Sequence, residues 1–590
     1  MPACTKLAAA AGIAALAGHA APLAAQSTLP QTSSWTAEQV RRITRSDTNT
    51  IPNVTAPRDQ LMPGYWIWDS WPLRNRDGSI ARINGWMVWM SLTAPDTLLP
   101  GQRHDVARIR YLASRDGVEW KPMGLVFPEE GAFGSRNWAS DAIYLPEKQQ
   151  IVVLYTATGD AAENCRASGE RSVCDRPITY EQRIAWARGS VQATEEGPRF
   201  TGWQHKLLLE PDGRLYQSPE QTGGQLYAFR DPFYYVDPAD GREYILFEAN
   251  TAAPGRTGGN PSPGSGGGGS GSGAAGGTPG TNGTSTAGTG GGSGSGAAAS
   301  TSGSGIGTGS GSPGGPLSGA PIGVVEYNGA IGIAEAVGNN ENLDQWRMLP
   351  PLLTANAVNQ ELERPHLVNR DGRYYLFLDT HIGKFAPGLP PGPEGLYGFV
   401  AERLFGPYAP LNGSGLVLGN PDNERNRFQS YSWFVLPDFS VTSFLDTFDL
   451  PPGVNLGNLP ERPAAFQKER FGGTYMPLWH LAVEGANTEV VVTDVNRDGL
   501  TTFADVTFAM NFTGTRAGDA NYSRWMDMNR DGRVNMLDVN FIARYALPDT
   551  PDQVAQGLQV PVSRPISASA ALKSPPSFKG RPKISAPAVE

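Results

Sequence analysis

Short apolar runs separated by polar turns fill the chain from Pro63 to about Ala482. The runs are rich in β-branched and aromatic residues, have strand length and show no long helical periodicity. Asn369-Arg370-Asp371-Gly372, just before the run at Tyr374, is typical of a hairpin turn between antiparallel strands. The pattern predicts an all-β domain, for which a propeller and a sandwich fit equally well. Representative predicted strands are Trp86 to Leu92, Ile151 to Thr156, Tyr244 to Phe247 and Tyr374 to Leu378.

Changes in composition predict how the chain is divided. Residues 1–26 combine one early charge, Lys6, with an apolar run and a small-residue cleavage site, as in a secretory signal. Residues 252–320 are almost entirely Gly, Ser, Thr, Ala and Pro, which is typical of a flexible insert within one domain. We therefore expect a signal peptide (1–26), a β domain (27–484, with a disordered insert at 252–320), a C-terminal module (485–548) and a disordered tail (549–590).

Charge and hydropathy exclude two classes of partner. The 590-residue chain has a formal net charge of -9. It contains no cluster of Lys and Arg interleaved with aromatic residues, as would be needed to hold a phosphate backbone. After the signal segment, no stretch has the roughly 20 apolar residues of a membrane helix. We expect a secreted, extracellular protein, periplasmic in transit, with no nucleic-acid partner and no membrane span.

Cys165 and Cys174 form a close pair in the polar stretch ENCRASGERSVC, whereas Cys4 lies in the signal segment. In an oxidising compartment such a pair is expected to form a disulfide that closes a loop. A metal site is the alternative, but it would need further ligands nearby, and none is evident. We therefore predict a Cys165–Cys174 disulfide.

Carboxylates stand beside arginine or aromatic residues at several points of the strand-like region. Two carboxylates that flank a glycosidic bond are sufficient for its hydrolysis or transfer. Aromatic faces stack on sugar rings, and charged groups bind their hydroxyls. One such pair alone is more often a turn or a surface ion pair, but their combination favours sugar chemistry. The stretches are Trp68-Asp69-Ser70-Trp71, Arg230-Asp231-Pro232 and Glu361-Leu362-Glu363-Arg364-Pro365-His366.

This combination resembles glycoside hydrolase family 68, which comprises levansucrases, inulosucrases and β-fructofuranosidases. The resemblance runs from about Tyr65 to about Phe448 and is interrupted by the Gly-rich insert. It implies a five-bladed β-propeller that cleaves sucrose, forms a covalent fructosyl-enzyme and transfers the fructosyl unit to a fructan such as levan or to water, without a cofactor. The matching stretches are WDSWPLRNRDG from Trp68, RDPFYY from Arg230, YILFEANT from Tyr244, NGAIGIAEA from Asn328, ELERPHLV from Glu361, YYLFLDTH from Tyr374 and LNGSGLVLGNP from Leu411.

The resemblance also assigns roles. Asp69 corresponds to the nucleophile, Glu363 to the acid/base and Asp231 to the stabiliser of the transition state. His381 stands where the family has Arg or His near the acceptor subsite, although a satisfied loop histidine is an equal alternative. The positions expected to contact sugar are Trp68, Trp138, Arg230, Glu361, Arg364, His381 and Tyr431.

Departures from the family pattern matter as well. Ala139 replaces the serine that usually supports the nucleophile, and Gln225 and Gln360 replace acids of a structural calcium site. We expect no calcium in the β domain. The stretch HIGKFAPGLPPGPEGLYGFV, from His381, is more similar to the Gram-negative branch.

Two acidic loops follow the β domain, and each has oxygen ligands at positions 1, 3, 5 and 12 and Gly at position 6, as calcium loops do. Each precedes an apolar-periodic segment, from Val506 to Asn511 and from Val539 to Tyr545. The pair resembles a dockerin type I module, which binds calcium and docks onto a cohesin-type partner. The expected ligands are Asp494, Asn496, Asp498 and Asp505 in the first loop, and Asp527, Asn529, Asp531 and Asp538 in the second.

The function of the apolar pairs Phe503-Ala504 and Met536-Leu537, just before position 12, stays open between a partner-facing patch and packing against the β domain. Two competing hypotheses for the whole protein also stay open. One is a β-fructofuranosidase that mainly hydrolyses sucrose, and the second is an inactive sugar-binding protein that is docked through its C-terminal module.

Overall fold

The computed structural model describes residues 29–53, 60–117, 119–128, 131–222, 227–252, 326–338, 340–496 and 501–546. The predicted signal, the tail and all but the first residue of the predicted insert lie outside these ranges. In the described residues no helix is long and apolar enough to cross a membrane.

The described chain is mostly β, as the pattern of apolar runs predicts. The helices are short: α1 (Ala37–Val40), α2 (Ala464–Glu469), α3 (Phe503–Met510) and α4 (Met536–Tyr545). The strands are β1 (Ser33–Ser34), β2 (Tyr65–Arg74), β3 (Arg82–Ile83), β4 (Trp86–Pro95), β5 (Arg108–Ser114), β6 (Lys121–Leu125), β7 (Arg136–Leu145), β8 (Gln150–Thr158), β9 (Cys165–Ser168), β10 (Arg171–Cys174), β11 (Gln182–Gln192), β12 (Arg199–Leu209), β13 (Phe229–Val236), β14 (Glu243–Asn250), β15 (Gly329–Ala336), β16 (Trp346–Thr354), β17 (Glu363–Arg370), β18 (Arg373–Thr380), β19 (Gly395–Ala401), β20 (Ala409–Pro410), β21 (Leu416–Gly419), β22 (Ser430–Val435), β23 (Ser440–Thr447), β24 (Phe471–Tyr475), β25 (Trp479–Glu484) and β26 (Asn487–Val492).

These strands pair into antiparallel groups that follow the chain. The first group is β2-β4-β5-β6 with β3 on β4, and the second is β7-β8-β11-β12. A short parallel pairing of Leu73 with Ala142 and of Arg74 with Ile143 joins these two into one sheet. The other large groups are β13-β14-β15-β16 with β1 at its edge, β17-β18-β19-β20 with β21 on β19, and β22-β23-β25-β26 with β24 on β23, and β9 and β10 form a separate two-stranded hairpin.

The first strands of these groups surround a common centre. Strand β2 contacts β7 and β22, β13 contacts β7 and β17, and β17 contacts β22. Between β17 and β18, Arg370 pairs with Arg373, and Asp371 and Gly372 have φ of 53° and 77°. That geometry matches the left-handed two-residue turn that Asn-Arg-Asp-Gly favours, so the predicted hairpin is confirmed.

The predicted disulfide is also confirmed, since Cys165 and Cys174 are bonded across the β9–β10 hairpin. The C-terminal module packs directly onto the last group. Its core joins Val491 of β26 to Ala509 of α3 and to Val539 and Ile542 of α4. Helices α3 and α4 begin three residues before the predicted starts, because Thr502 and Asn535 cap them with the help of Asp505 and Asp538.

Candidate active site

A β-bulge recurs in the first strand of each of the five large groups. The pairing register shifts between Trp68 and Ser70 in β2, Trp138 and Ser140 in β7, Arg230 and Phe233 in β13, Glu363 and His366 in β17, and Tyr431 and Phe434 in β22. A bulge twists its strand and re-aims the side chains beside it. These bulges therefore turn residues of several strands toward the same centre.

Four of the bulged residues have a strained backbone. Asp69, Asp231, Arg364 and Ser432 have φ of 33°, 58°, 53° and 54°. Non-glycine residues rarely adopt such angles, which cost about 1–3 kcal/mol each and concentrate at functional sites. Two of the carboxylates singled out from the sequence, Asp69 and Asp231, thus stand where strain in the backbone sets the direction of the side chain.

The catalytic candidates lie close together. Carboxylate oxygens of Asp231, Glu248 and Glu363 are within 4.8 Å of one another, and Asp69 is near enough for the Glu363 charge to raise its pKa further. Burial is the main cause of the raised pKa of Asp69. Burial also raises the pKa of Asp231 to about 7, although Arg230 and Arg364 oppose the shift. The Arg364 backbone N–H donates to Asp231 Oδ2 at 3.1 Å.

Arg230 is the cation that holds this acidic cluster together. Its Nε lies 2.7 Å from Glu248 Oε2, and its Nη2 lies 3.1 Å from Glu363 Oε1 and 3.7 Å from Glu361 Oε2. Lys384 Nζ adds a second ion pair, 2.7 Å from Glu361 Oε1. Burial alone would raise the pKa of Glu361, but Lys384 and Arg230 outweigh it and lower the pKa to about 2.

The second oxygen of Glu363 faces a different pair of groups. Tyr431 Oη donates a hydrogen bond to Glu363 Oε2, and His381 Nε2 lies 3.4 Å from the same oxygen. The imidazole of His381 stacks on the Tyr431 ring, with centroids 3.8 Å apart. Both oxygens of Glu363 are therefore contacted by donors from other strands or loops.

Aromatic side chains form one wall beside the acids. The His104 ring lies 5.3 Å from the Trp68 ring and 6.2 Å from the Trp138 ring, and Trp138 Nε1 donates to the His104 backbone oxygen. The Arg103 guanidinium covers Trp68 at 5.5 Å. Such a wall suits the apolar face of a sugar ring.

The nucleophile candidate has a hydroxyl beside it even though Ala139 stands where a serine was expected. The Ser432 hydroxyl, on the bulge of β22, is close to the Asp69 carboxylate. Gln360, which replaces a calcium-site acid, accepts the Tyr327 backbone N–H, while Gln225 lies outside the described residues.

The structure thus brings together the residues that the sequence named as candidates for a sugar site. It adds residues that sequence reasoning missed, namely Glu248, Glu394, Lys384, Asp379 and Arg103. Glu248 and Asp379 belong to the family-like stretches YILFEANT and YYLFLDTH, so the sequence marked the stretches but assigned no role to these two residues. Asp379 is fully buried beside Glu363, its cross-strand partner on β17, and burial raises its pKa well above the usual range.

The acidic loops of the C-terminal module fit a hard cation. In the second loop, Asp527 accepts the backbone N–H groups of Asp531 and Gly532, and Asp538 accepts those of Met528 and Asn529. Both carboxylates are buried, at 1% and 0% exposure. Buried oxygen donors that are shaped by backbone amides are the ligand type that calcium prefers.

In the first loop, Asp505 accepts the Asn496 backbone N–H at 3.0 Å, and Asp494 and Asp505 are both buried. Asp498, the predicted ligand at position 5, lies outside the described residues. The described part of the first loop therefore follows the second loop, in which the position-12 carboxylate closes the turn.

Comparison with known proteins decides the family. The levansucrase/invertase model of glycoside hydrolase family 68 matches residues 24–279 and 313–493. The chain belongs to this family. The dockerin type I model matches residues 492–547.

Individual members of the levansucrase/invertase family agree with this assignment. Levansucrase from Rahnella aquatilis is 33% identical over 470 residues, which cover 76% of this chain and 92% of the relative. Levansucrase from Zymomonas mobilis is 31% identical and covers 78% of this chain and 90% of the relative. The solved inulosucrase from Halalkalicoccus jeotgali, bound to kestose, is 39% identical with a TM-score of 0.61, covering 78% of this chain and 95% of that one. The protein is a levansucrase-like fructosyltransferase.

Proposed function

We propose that this enzyme cleaves sucrose and transfers the fructosyl unit, through a covalent fructosyl-enzyme, to a growing fructan or to water. The observation that carries the proposal is the meeting of Asp69, Asp231 and Glu363 at bulges of three first strands around one centre. A nucleophile and an acid/base on opposite sides of a glycosidic bond give retaining transfer.

Each carboxylate has surroundings that suit one role. Asp69 lies on the bulge of β2, near enough to Arg364 and Glu363 for their charges to act on it, and its carboxylate attacks the anomeric carbon of the fructosyl unit. Glu363 protonates the departing glucosyl oxygen and then takes the proton of the acceptor, a contribution typically of about 10²–10⁴ in rate. Asp231, fixed by the Arg364 N–H, holds fructosyl hydroxyls while positive charge develops on the ring.

The remaining sugar-site residues bind and orient. Trp68 and Trp138 provide the aromatic wall, and Arg364 donates from Nη2 to the Ser70 backbone oxygen at 2.9 Å, which ties two of the bulges together. Arg230 and Glu361 form the charged floor, and His381 and Tyr431 line the side on which the glucosyl unit leaves and the acceptor enters. Catalysis by this set of residues uses no cofactor.

The strand groups support a five-bladed propeller. In the described residues, five large antiparallel groups begin with β2, β7, β13, β17 and β22, and each first strand contacts the next, with β22 returning to β2. Such a ring places the five bulges at equivalent points around its axis. It accounts for the convergence of residues that are hundreds of positions apart in the chain.

The C-terminal module is proposed to bind calcium and to dock a cohesin-type partner. The donors would be Asp494, Asn496, Asp498 and Asp505 in one loop and Asp527, Asn529, Asp531 and Asp538 in the other. Calcium there would supply structural cross-linking and no chemistry. We also propose that the mature chain is exported to the cell exterior. Its proposed units are the β domain at 27–484, the module at 485–548 and the tail at 549–590.

The time course of free glucose and free fructose from sucrose tests the reaction. Glucose running well ahead of fructose is the expected result, because each transfer releases glucose and retains fructose in product. Equal release would replace transfer with hydrolysis. Release of neither sugar would contradict the proposed reaction, and binding of sucrose by the inactive protein would then be measured by calorimetry.

A further inference from the structure

A buried carboxylate behind His381 has no assigned part in the reaction. Glu394, just before β19, is 2% exposed. Its Oε2 lies 2.6 Å from His381 Nδ1, and its Oε1 accepts the Ile382 backbone N–H at 3.2 Å. Both oxygens are thus used to fix the loop that carries His381, on the side away from Glu363.

The two ring nitrogens of His381 face two different carboxylates. Nδ1 faces Glu394 at 2.6 Å and Nε2 faces Glu363 at 3.4 Å. A neutral imidazole has one donor and one acceptor nitrogen, and it can therefore donate to only one of two carboxylates. An imidazolium donates at both nitrogens, and the Tyr431 ring stacked 3.8 Å away fixes its plane.

We propose that Glu394 is a positioning residue that keeps His381 as an imidazolium, so that its Nε2–H holds and orients the Glu363 carboxylate. This inference rests on the proposed role of Glu363 as acid/base. In this state His381 resembles an arginine, because it carries a fixed positive charge and a directed N–H donor. No proton has to move through Glu394 itself.

The charges around His381 agree with this state. Burial would lower its pKa, but Glu394 outweighs burial, with further help from Glu363 and Glu361, and the pKa rises to about 9. His104 and Asp446 are also within electrostatic reach of His381. Burial lowers the pKa of His104 well below its usual range, so His104 is neutral there, and Tyr431 stays neutral because burial raises its pKa.

The arrangement serves the second half of the reaction. Arg230 donates to one oxygen of Glu363, Tyr431 donates to the other, and His381 Nε2 lies 3.4 Å from that second oxygen. These contacts stabilise the carboxylate that remains after Glu363 has given its proton to the departing glucosyl oxygen. That carboxylate is the form that must take a proton from the incoming acceptor.

The test follows the protonation of His381 directly, by NMR of protein labelled at histidine ¹³Cε1, with the His381 signal assigned by its loss in His381→Gln. In the wild type the imidazolium should persist up to about pH 9. Glu394→Gln keeps the shape of the side chain and an acceptor for the Ile382 N–H. In this variant the pKa of His381 should fall by at least about one unit, which is a tenfold change in its protonation equilibrium.

Activity provides the second measurement. Glu394→Gln should lose most of its sucrose cleavage near pH 9, and adding His381→Arg should restore it, because arginine stays charged without a carboxylate partner. A merely structural role would give loss at every pH and no rescue by arginine. Unchanged titration of His381 in Glu394→Gln, or absence of rescue, would overturn the inference.

Two further outcomes keep the test decisive. If Glu394→Gln does not fold, the wild-type titration decides, since a His381 that is neutral at pH 7.5 overturns the inference without any variant. Glu363→Gln separates this inference from the role on which it rests. Full activity of Glu363→Gln would rule out Glu363 as the acid/base. If Glu363→Gln is inactive but the titration of His381 is unaltered in Glu394→Gln, only the proposed role of Glu394 is ruled out.

Discussion

The β region and the C-terminal module both bury carboxylates, but they balance the negative charge in opposite ways. In the active site the counter-charges belong to the chain itself, since Arg230 pairs with Glu248 and Glu363 and Lys384 pairs with Glu361. In the calcium loops the carboxylates of Asp527 and Asp538 accept backbone N–H groups. The acids of the first site are neutralised by protein cations, whereas those of the second are held by backbone amides, in the arrangement proposed for calcium.

This difference predicts which perturbation will impair each region. Substituting a charged residue should damage the active site, because its acids and cations depend on one another. Removing calcium should damage the module, because binding and folding are coupled in a site whose ligands repel one another without the ion.

The largest effect is expected for Asp69→Asn. It removes the proposed nucleophile at nearly constant volume, so sucrose cleavage should fall by at least about 1,000-fold. Burial disfavours the charged form of Asp69, and the melting temperature should therefore stay the same or rise. Asp77→Asn, an exposed substitution in the same WDSWPLRNRDG stretch, is the matched control and should keep full activity. Substantial turnover by Asp69→Asn would remove the assignment of the nucleophile.

Arg230→Met should be the most destabilising substitution. It leaves Glu248, Glu361 and Glu363 buried without their shared cation, and breaking a buried ion pair in this way costs about 3–5 kcal/mol. Chemical denaturation measures the free energy of unfolding, and activity should be lost as well. Arg242→Met is the control, since Arg242 is exposed and pairs with Asp240 at the surface. Equal stability of the two variants would contradict the conclusion that Arg230 stabilises the buried acids of the site.

Calcium removal should act mainly on the module. With the ion present at about 100 times its Kd, binding stabilises the folded module by about 2.7 kcal/mol. Chelation with EDTA should therefore melt α3 and α4, as followed by far-UV circular dichroism and by proteolysis after residue 492. Sucrose cleavage at moderate temperature should continue. Complete loss of cleavage on chelation would show that the β domain itself depends on calcium.

Sequence reasoning named most of the residues that cluster at the candidate active site because they sit in dense local motifs. Asp69, Asp231 and Glu363 each stand beside Arg or Trp in one short stretch. Glu248 was missed because its link to Arg230 is a cross-strand pair, which exists only once the register of β13 and β14 is known. Glu394 was missed because a loop brings it back to His381 from 13 positions away.

The fold shows the same division between local and distant information. Turn chemistry and apolar runs predicted the strands and the hairpin after β17, and cysteine spacing predicted the disulfide. The recurrent bulges had no clear sequence signal, since Arg364 and Ser432 are not residues that favour positive φ. Packing of the module against the β domain was considered only for the apolar pairs Phe503-Ala504 and Met536-Leu537, but Phe503, Met536 and Leu537 are exposed. The contact with β26 is made instead from the second acidic loop, which no local pattern indicates.

That contact gives the smallest predicted effect and tests whether the two regions are separable. Arg530, inside the second loop, donates from Nη2 to the Val490 backbone oxygen at 2.7 Å, and its Nε lies 3.3 Å from Glu489. Arg524 also reaches Glu489. Because Glu489 is about one-third exposed, its ion pairs are worth only about 0–1 kcal/mol each.

Glu489→Gln should therefore lower the melting temperature of the calcium-bound protein slightly and leave sucrose cleavage unchanged. Its effect should disappear in EDTA, because the second loop no longer holds Arg530 in place against β26. Glu484→Gln, at the exposed end of β25, is the matched control and should have no effect in either condition. An equal loss of stability with and without calcium would mean that Glu489 stabilises the last strand group alone, and that the loop and the β domain are energetically independent.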